Sequence, residues 1–227
     1  MADIEVRAKS FASPGPVDTD LRTALTGLVV TDWKEALIAR GFGWMTDVGG
    51  GTTPIVGGGA GTTFDAQKPE LVIDVPTNTT MCVLRASIVL EMPIDAADGA
   101  VAEAEMYFNR TGVSGATSTN GTVETPINMR SDAVGGCPCS VVSAVTTNIT
   151  APTISQCIDR IQVEKEITTS ATGEYYSQAR VDYVPQTMPF IVGPATWVLW
   201  WAGASAQGGY ATVDFLAFPT GLVEDLV

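Results

Sequence analysis

The sequence predicts an all-β fold, an antiparallel two-sheet sandwich or jelly roll of about eight to ten strands, and three observations lead there. From Glu70 onward, segments rich in Val, Ile, Thr and aromatic residues follow one another almost without a break. They are separated by Gly, Pro and Asn clusters such as Pro76-Thr77-Asn78-Thr79, the residue types that set turn geometry. Lysine is scarce and long runs of Glu, Lys and Leu are absent, so extended helices have nothing to form from. At 227 residues the chain suits one domain, burying roughly 70% of its unfolded surface.

Residues 1–30 read as an N-terminal arm and residues 31–227 as the domain. The arm opens with the alternation Ile4-Glu5-Val6-Arg7-Ala8-Lys9 and runs into Ser13-Pro14-Gly15-Pro16, a composition that does not build a core. It has no apolar stretch of the kind a secretory signal carries. One short helix is expected over Thr31–Arg40. Asp32 and Glu35 stand at capping-box spacing, Trp33, Ala36 and Leu37 share a face, and Gly41 is a natural stop. Phe42–Val48 is the first strand. Gly49–Gly61 is glycine-rich but lacks the Gly-Lys-Ser/Thr of a phosphate cradle, and is read as a turn or subunit-packing loop.

The β region then runs Glu70–Val75, Met81–Glu91, Ala102–Asn109, Thr122–Met129, Cys139–Thr146, Cys157–Thr168, Tyr175–Val184 and Phe190–Val192. It closes with what reads as a β-hairpin: Ala195–Ala202, a loop Gly203–Gly209, and Tyr210–Phe218. Alternate side chains of a strand point to opposite faces. Ala195, Trp197, Leu199 and Trp201 therefore share one face, and Thr196, Val198, Trp200 and Ala202 the other. Both faces are apolar, whereas Tyr210, Thr212 and Asp214 mark the next strand as half-exposed. A strand apolar on both sides must be covered twice. The expected covers are the domain's own core and a second subunit; the alternative is a central strand covered by the chain's own loops. The expected interface residues are Trp197, Leu199, Trp200, Trp201, Tyr210 and Phe218.

Charge and chemistry narrow the function. The formal charge is −13 and the isoelectric point about 4.2, and the 12 Lys and Arg are scattered, so nucleic acid would be repelled. Tyr183–Val213 carries no charge, yet Pro185, Pro189 and Pro194 interrupt it and no Lys or Arg anchors it, so no membrane span is expected. The chain has no histidine, which removes Ser-His-Asp triads and most catalytic zinc sites. No cofactor or metal is expected. Asp95 and Asp98 lack calcium-loop spacing, and Cys137-Pro-Cys139 lacks the two-residue spacer of zinc knuckles. The cysteines Cys82, Cys137, Cys139 and Cys157 are read as reduced, packed thiols, a bridge from Cys157 to Cys137 or Cys139 being the alternative. Sequons at Asn78, Asn109, Asn120 and Asn148 are expected by chance in so Thr-rich a chain.

Four segments carry a resemblance: Ala36-Leu37-Ile38-Ala39-Arg40-Gly41, Thr52-Thr53-Pro54-Ile55, Glu70-Leu71-Val72-Ile73-Asp74-Val75-Pro76, and Val192-Gly193-Pro194 with Trp197-Val198-Leu199. Over roughly residues 31–219 the chain resembles structural proteins of tailed phages that form trimeric jelly rolls of the tumour-necrosis-factor-like type. The resemblance implies a non-enzymatic cement or decoration protein. It would be a homotrimer on the outer surface of the virion capsid, made in the host cytoplasm and bound to the major capsid protein. Ile4, Val6, Arg7, Lys9 and Phe11 of the arm are the expected capsid contact. Two other functions use the same features. A receptor-binding or head-fibre tip would bind host glycan through the loops Arg110–Gly121 or Ser170–Tyr176. A carboxylate-only polysaccharide hydrolase would work through Glu103 and Glu105, which share a strand face.

Overall fold

Hydrogen-bonded pairing sorts the described strands into two antiparallel sheets. The computed structural model describes residues 33–57, 65–91, 101–151, 156–164, 178–203 and 208–224. The chain divides into two units, Met1–Trp33 and Lys34–Val227, and the sheets belong to the second. The arm expected over residues 1–30, with Ile4, Val6, Arg7, Lys9 and Phe11, lies outside the described residues.

The first sheet runs in the order β10 (Gln178–Tyr183), β4 (Thr79–Glu91), β13 (Gly208–Pro219), β1 (Gly43–Val48) and β7 (Ile127–Asn128). Short strands β11 (Ile191–Val192) and β2 (Ile55–Val56) add to β4 and β13. The second sheet runs β6 (Thr122–Glu124), β8 (Ser140–Ser143), β3 (Leu71–Val75), β12 (Ala195–Gly203), β5 (Val101–Asn109) and β9 (Gln156–Glu164). Among the eight principal strands β1, β3, β4, β5, β9, β10, β12 and β13, pairing is nested. The first pairs with the last, the second with the seventh, the third with the sixth and the fourth with the fifth.

Ala195, Trp197, Leu199 and Trp201 of β12 point inward, meeting Leu71, Ile73 and Val75 of β3 and Ala211, Val213, Phe215 and Ala217 of β13 in one buried cluster. That is the face alternation predicts. On β4, Met81 and Val83 point inward, and so do Ala86, Ile88 and Leu90. The phase is kept by a bulge, since Asp214 opposes Arg85 while Phe215 opposes Val83. The extra residue, Leu84, bends the strand without turning its apolar set outward.

Two expectations are corrected. The closing segments are not a hairpin, because β12 lies in the second sheet and β13 in the first. Each pairs with strands from elsewhere in the chain, β12 with β3 and β5, β13 with β4 and β1. The strand expected over Thr122–Met129 is split into β6 and β7, in different sheets. Pro126 stands between them and has no N–H for a ladder. The helix, α1, is described over Trp33–Ala39, residues 31 and 32 lying outside the described residues. It ends where the glycine requires: Gly41 adopts φ +85°, its amide donates to the Ile38 carbonyl at 2.8 Å, and that of Phe42 donates to Leu37 at 3.0 Å. This pair of bonds is the Schellman arrangement.

Candidate functional site

The outward face of β12 is where the sequence places contact with a second subunit. Val198 and Trp200 point away from the inter-sheet core and form a second buried cluster with Val72, Val142, Ala116, Val145 and Ile149. The last three come from two loops, residues 110–121 and 144–151. Tyr107 of β5 packs edge-on to the Trp200 ring, centroids 5.3 Å apart, a favoured aromatic geometry. The chain's own loops therefore supply the cover.

A buried carboxylate holds the first loop down. Asp74 opposes Thr196 across the β3–β12 ladder, so both point outward. It accepts from the Ser114 amide at 2.8 Å, the Ser114 hydroxyl at 2.9 Å, the Gly115 amide at 3.0 Å and the Thr196 hydroxyl at 2.7 Å. A carboxylate taken out of water needs this number of donors. The two loops are also tied to each other. The Asn120 side-chain amide donates to the carbonyls of Thr147 and Asn148, and the Asn120 carbonyl accepts from the amides of Thr146 and Thr147. A second buried acid, Glu70, accepts from the Trp201 amide at 2.7 Å, and the Trp201 indole donates to the Ile55 carbonyl at 3.0 Å.

This geometry corrects the expected subunit interface. Trp197, Leu199, Trp200, Trp201 and Phe218 are all buried within the single chain, Trp200 to 2% exposure, so they have no surface to offer a sister subunit. Of the six residues only Tyr210 is half-exposed. Sequence reasoning missed Asp74 and Glu70. A signal was present: an acid inside the apolar run Leu71-Val72-Ile73-Asp74-Val75 must be paired if that strand is buried on both faces.

The other candidates are placed as follows. Glu103 and Glu105 do share the outer face of β5, with Glu103 half-buried and Glu105 buried. Glu105 is engaged by an ion pair with Arg160 and a hydrogen bond from the Tyr107 hydroxyl. Burial, and then that bond, push the Tyr107 phenol up to about 12. The loop Arg110–Gly121, expected to offer a glycan groove, is fastened to its sheet. Ser170–Tyr176, Asp95 and Asp98 lie outside the described residues. Among the described residues no cluster of three or more His, Cys, Asp or Glu is placed to hold a metal, and no helix is long and apolar enough to cross a membrane. All four cysteines are free thiols, and the alternative bridge from Cys157 is not formed.

A cleft of about 550 Å³ opens where α1 meets the ends of β1 and β13, with Arg40, Phe42, Trp44, Asn78, Arg130 and Phe218 in its lining. Its Arg130 guanidinium forks onto Asp132 at 2.6 and 2.9 Å and donates to the Ala39 carbonyl at 2.9 Å. That cation is engaged in holding the cleft wall to α1.

Fold and site together define a two-sheet antiparallel sandwich with a doubly buried central strand. No family model, curated protein or solved structure matches the chain.

Proposed function

We propose that the protein is a non-enzymatic virion structural protein, a cement or decoration protein that binds as a homotrimer to the outer surface of a phage capsid and ties major capsid subunits together. The observation that carries this reading is the nested pairing of the eight principal strands, first with last through fourth with fifth. A jelly roll, the fold the resemblance implies, would pair its strands in such a nested order. With the tryptophans committed to the interior, contact between copies falls to other apolar surface. Val184, Phe190 and Val192 are 64%, 43% and 48% exposed, on or beside β10 and β11, which flank β4 at one edge of the first sheet. Pro185 and Pro189 interrupt that edge and discourage open-ended strand addition, which suits a closed assembly. An interface of ~800 Å² per partner would make it specific. Weak capsid contacts would then add through effective concentration.

The test is co-purification with intact particles, together with light scattering of the isolated protein. Association with particles in multiples of three copies, and a trimer that Phe190→Glu with Val192→Asp converts to monomer, support the reading. A protein that stays monomeric across concentration and does not bind particles overturns it.

A further inference from the structure

Cys137 and Cys139 lie in the segment joining β7 to β8, on either side of Pro138. Cys139 is buried in the inter-sheet cluster, and Cys137, half-buried, packs against the same cluster. The Cys139 thiol donates a hydrogen bond to the Cys137 sulfur, which lowers the Cys137 pKa. The same bond, then burial, then the nearby charges of Cys137 and Asp74, raise that of Cys139. The chain bends at Pro138 and Cys139, and Cα atoms two residues apart lie at most about 7 Å from each other, near the roughly 4.4–6.8 Å a disulfide spans. Gly135 and Gly136 just before them are exposed and have nothing against the position a Cβ would take, so the backbone has room to adjust. The other two thiols lack this arrangement. Burial pushes Cys82 up to about 12, and Cys157 is exposed on β9, its thiol directed to the Asp159 carbonyl.

We propose that Cys137 and Cys139 form a reversible dithiol–disulfide pair that exchanges with a low-molecular-weight disulfide of the oxidised-glutathione class. The Cys137 thiolate attacks one sulfur of the external disulfide, breaking its S–S bond and releasing one thiolate. Cys139 then gives up its proton and attacks the Cys137 sulfur of the mixed disulfide, releasing the second thiolate. Two protein thiols are oxidised to one intrachain disulfide, the external disulfide is reduced to two thiols, and the two protons go to the departing thiolates. The order of attack follows from access and ionisation, since the thiolate is the nucleophile and the more exposed sulfur carries it. This inference does not depend on what the sandwich binds.

The test uses the full chain carrying Cys157→Ser, which silences the exposed thiol. The protein is equilibrated with graded ratios of oxidised to reduced glutathione, blocked with an alkylating agent while folded, and mapped by mass spectrometry. The expected result is a peptide containing both cysteines that has lost two hydrogens and resists alkylation until a reductant is added. Adding Cys139→Ser should stop the reaction at a glutathione adduct on Cys137, and adding Cys137→Ser should leave residue 139 unmodified. The proposal is overturned if Cys137 stays alkylatable in oxidised glutathione, if its adduct persists with Cys139 intact, or if Cys139 reacts equally well without Cys137. The parent measurement needs no substitution in the pair, so a variant that misfolds does not blunt it.

Discussion

Replacing Asp74 by alanine tests how the second face of the tryptophan strand is covered. The carboxylate accepts four hydrogen bonds, from the amides of Ser114 and Gly115 and the hydroxyls of Ser114 and Thr196. Hydrogen bonds to a charged group contribute about 1.5–3 kcal/mol each, but these four share one acceptor and will not add. The one proton of the Thr196 hydroxyl can turn to the Gly112 carbonyl, 3.0 Å away, and the freed loop amides can turn to water. The expected loss is therefore about 3–5 kcal/mol, at the top of the range for single substitutions. Asp74→Asn keeps an acceptor and should lose about half as much. Urea unfolding gives the free energy, and amide exchange at Ser114 and Gly115 shows whether the loop lifts before the rest of the domain. A loss below about 1 kcal/mol, with both amides still protected, would refute the idea that this carboxylate fastens the loop.

Trp200→Ala should cost about 3–5 kcal/mol through the cavity it leaves while the oligomeric state measured by light scattering stays the same; dissociation would return this face to the subunit interface. Gly121→Ala should cost about 1–3 kcal/mol, because a Cβ there would stand 2.3 Å from the Ser143 carbonyl; an unchanged melting temperature would argue against that close approach. Asp214 sits between Arg85 and Asp47, and burial first, then Asp47, raise its pKa above 3.8 despite Arg85. The native state thus holds this proton more tightly than the unfolded chain, so its contribution to stability falls as pH rises from 3.8 through the folded pKa. Asp214→Asn should accordingly raise the melting temperature at pH 7 and lose that advantage in acid below the ordinary aspartate range; no gain at pH 7 would count against the assignment.

Much of the fold can be read from residue order alone, because its cause is local. Period-two alternation assigns Trp197, Leu199 and Trp201 to one face and Val198 and Trp200 to the other, and the pleat leaves no alternative. Gly41 ends the helix because few other residues tolerate its φ of +85°. The polar side of β13 at Thr212 and Asp214 follows from the same alternation.

What surrounds the tryptophan strand is a different kind of fact. Burial of apolar surface is non-directional, so a sister subunit and a folded-back loop satisfy Val198 and Trp200 equally well, and composition cannot tell them apart. The loop prevails through contacts far apart in sequence: Asp74 reaches 40 residues on to Ser114 and 122 residues on to Thr196. Likewise, the short connection between β12 and β13 could close a hairpin or cross between sheets, and the partners β3, β5, β4 and β1 decide which. Residue order thus determined which side chains share a face; the tertiary structure decided what lies against each face, because that depends on distant partners whose pairing no local pattern encodes.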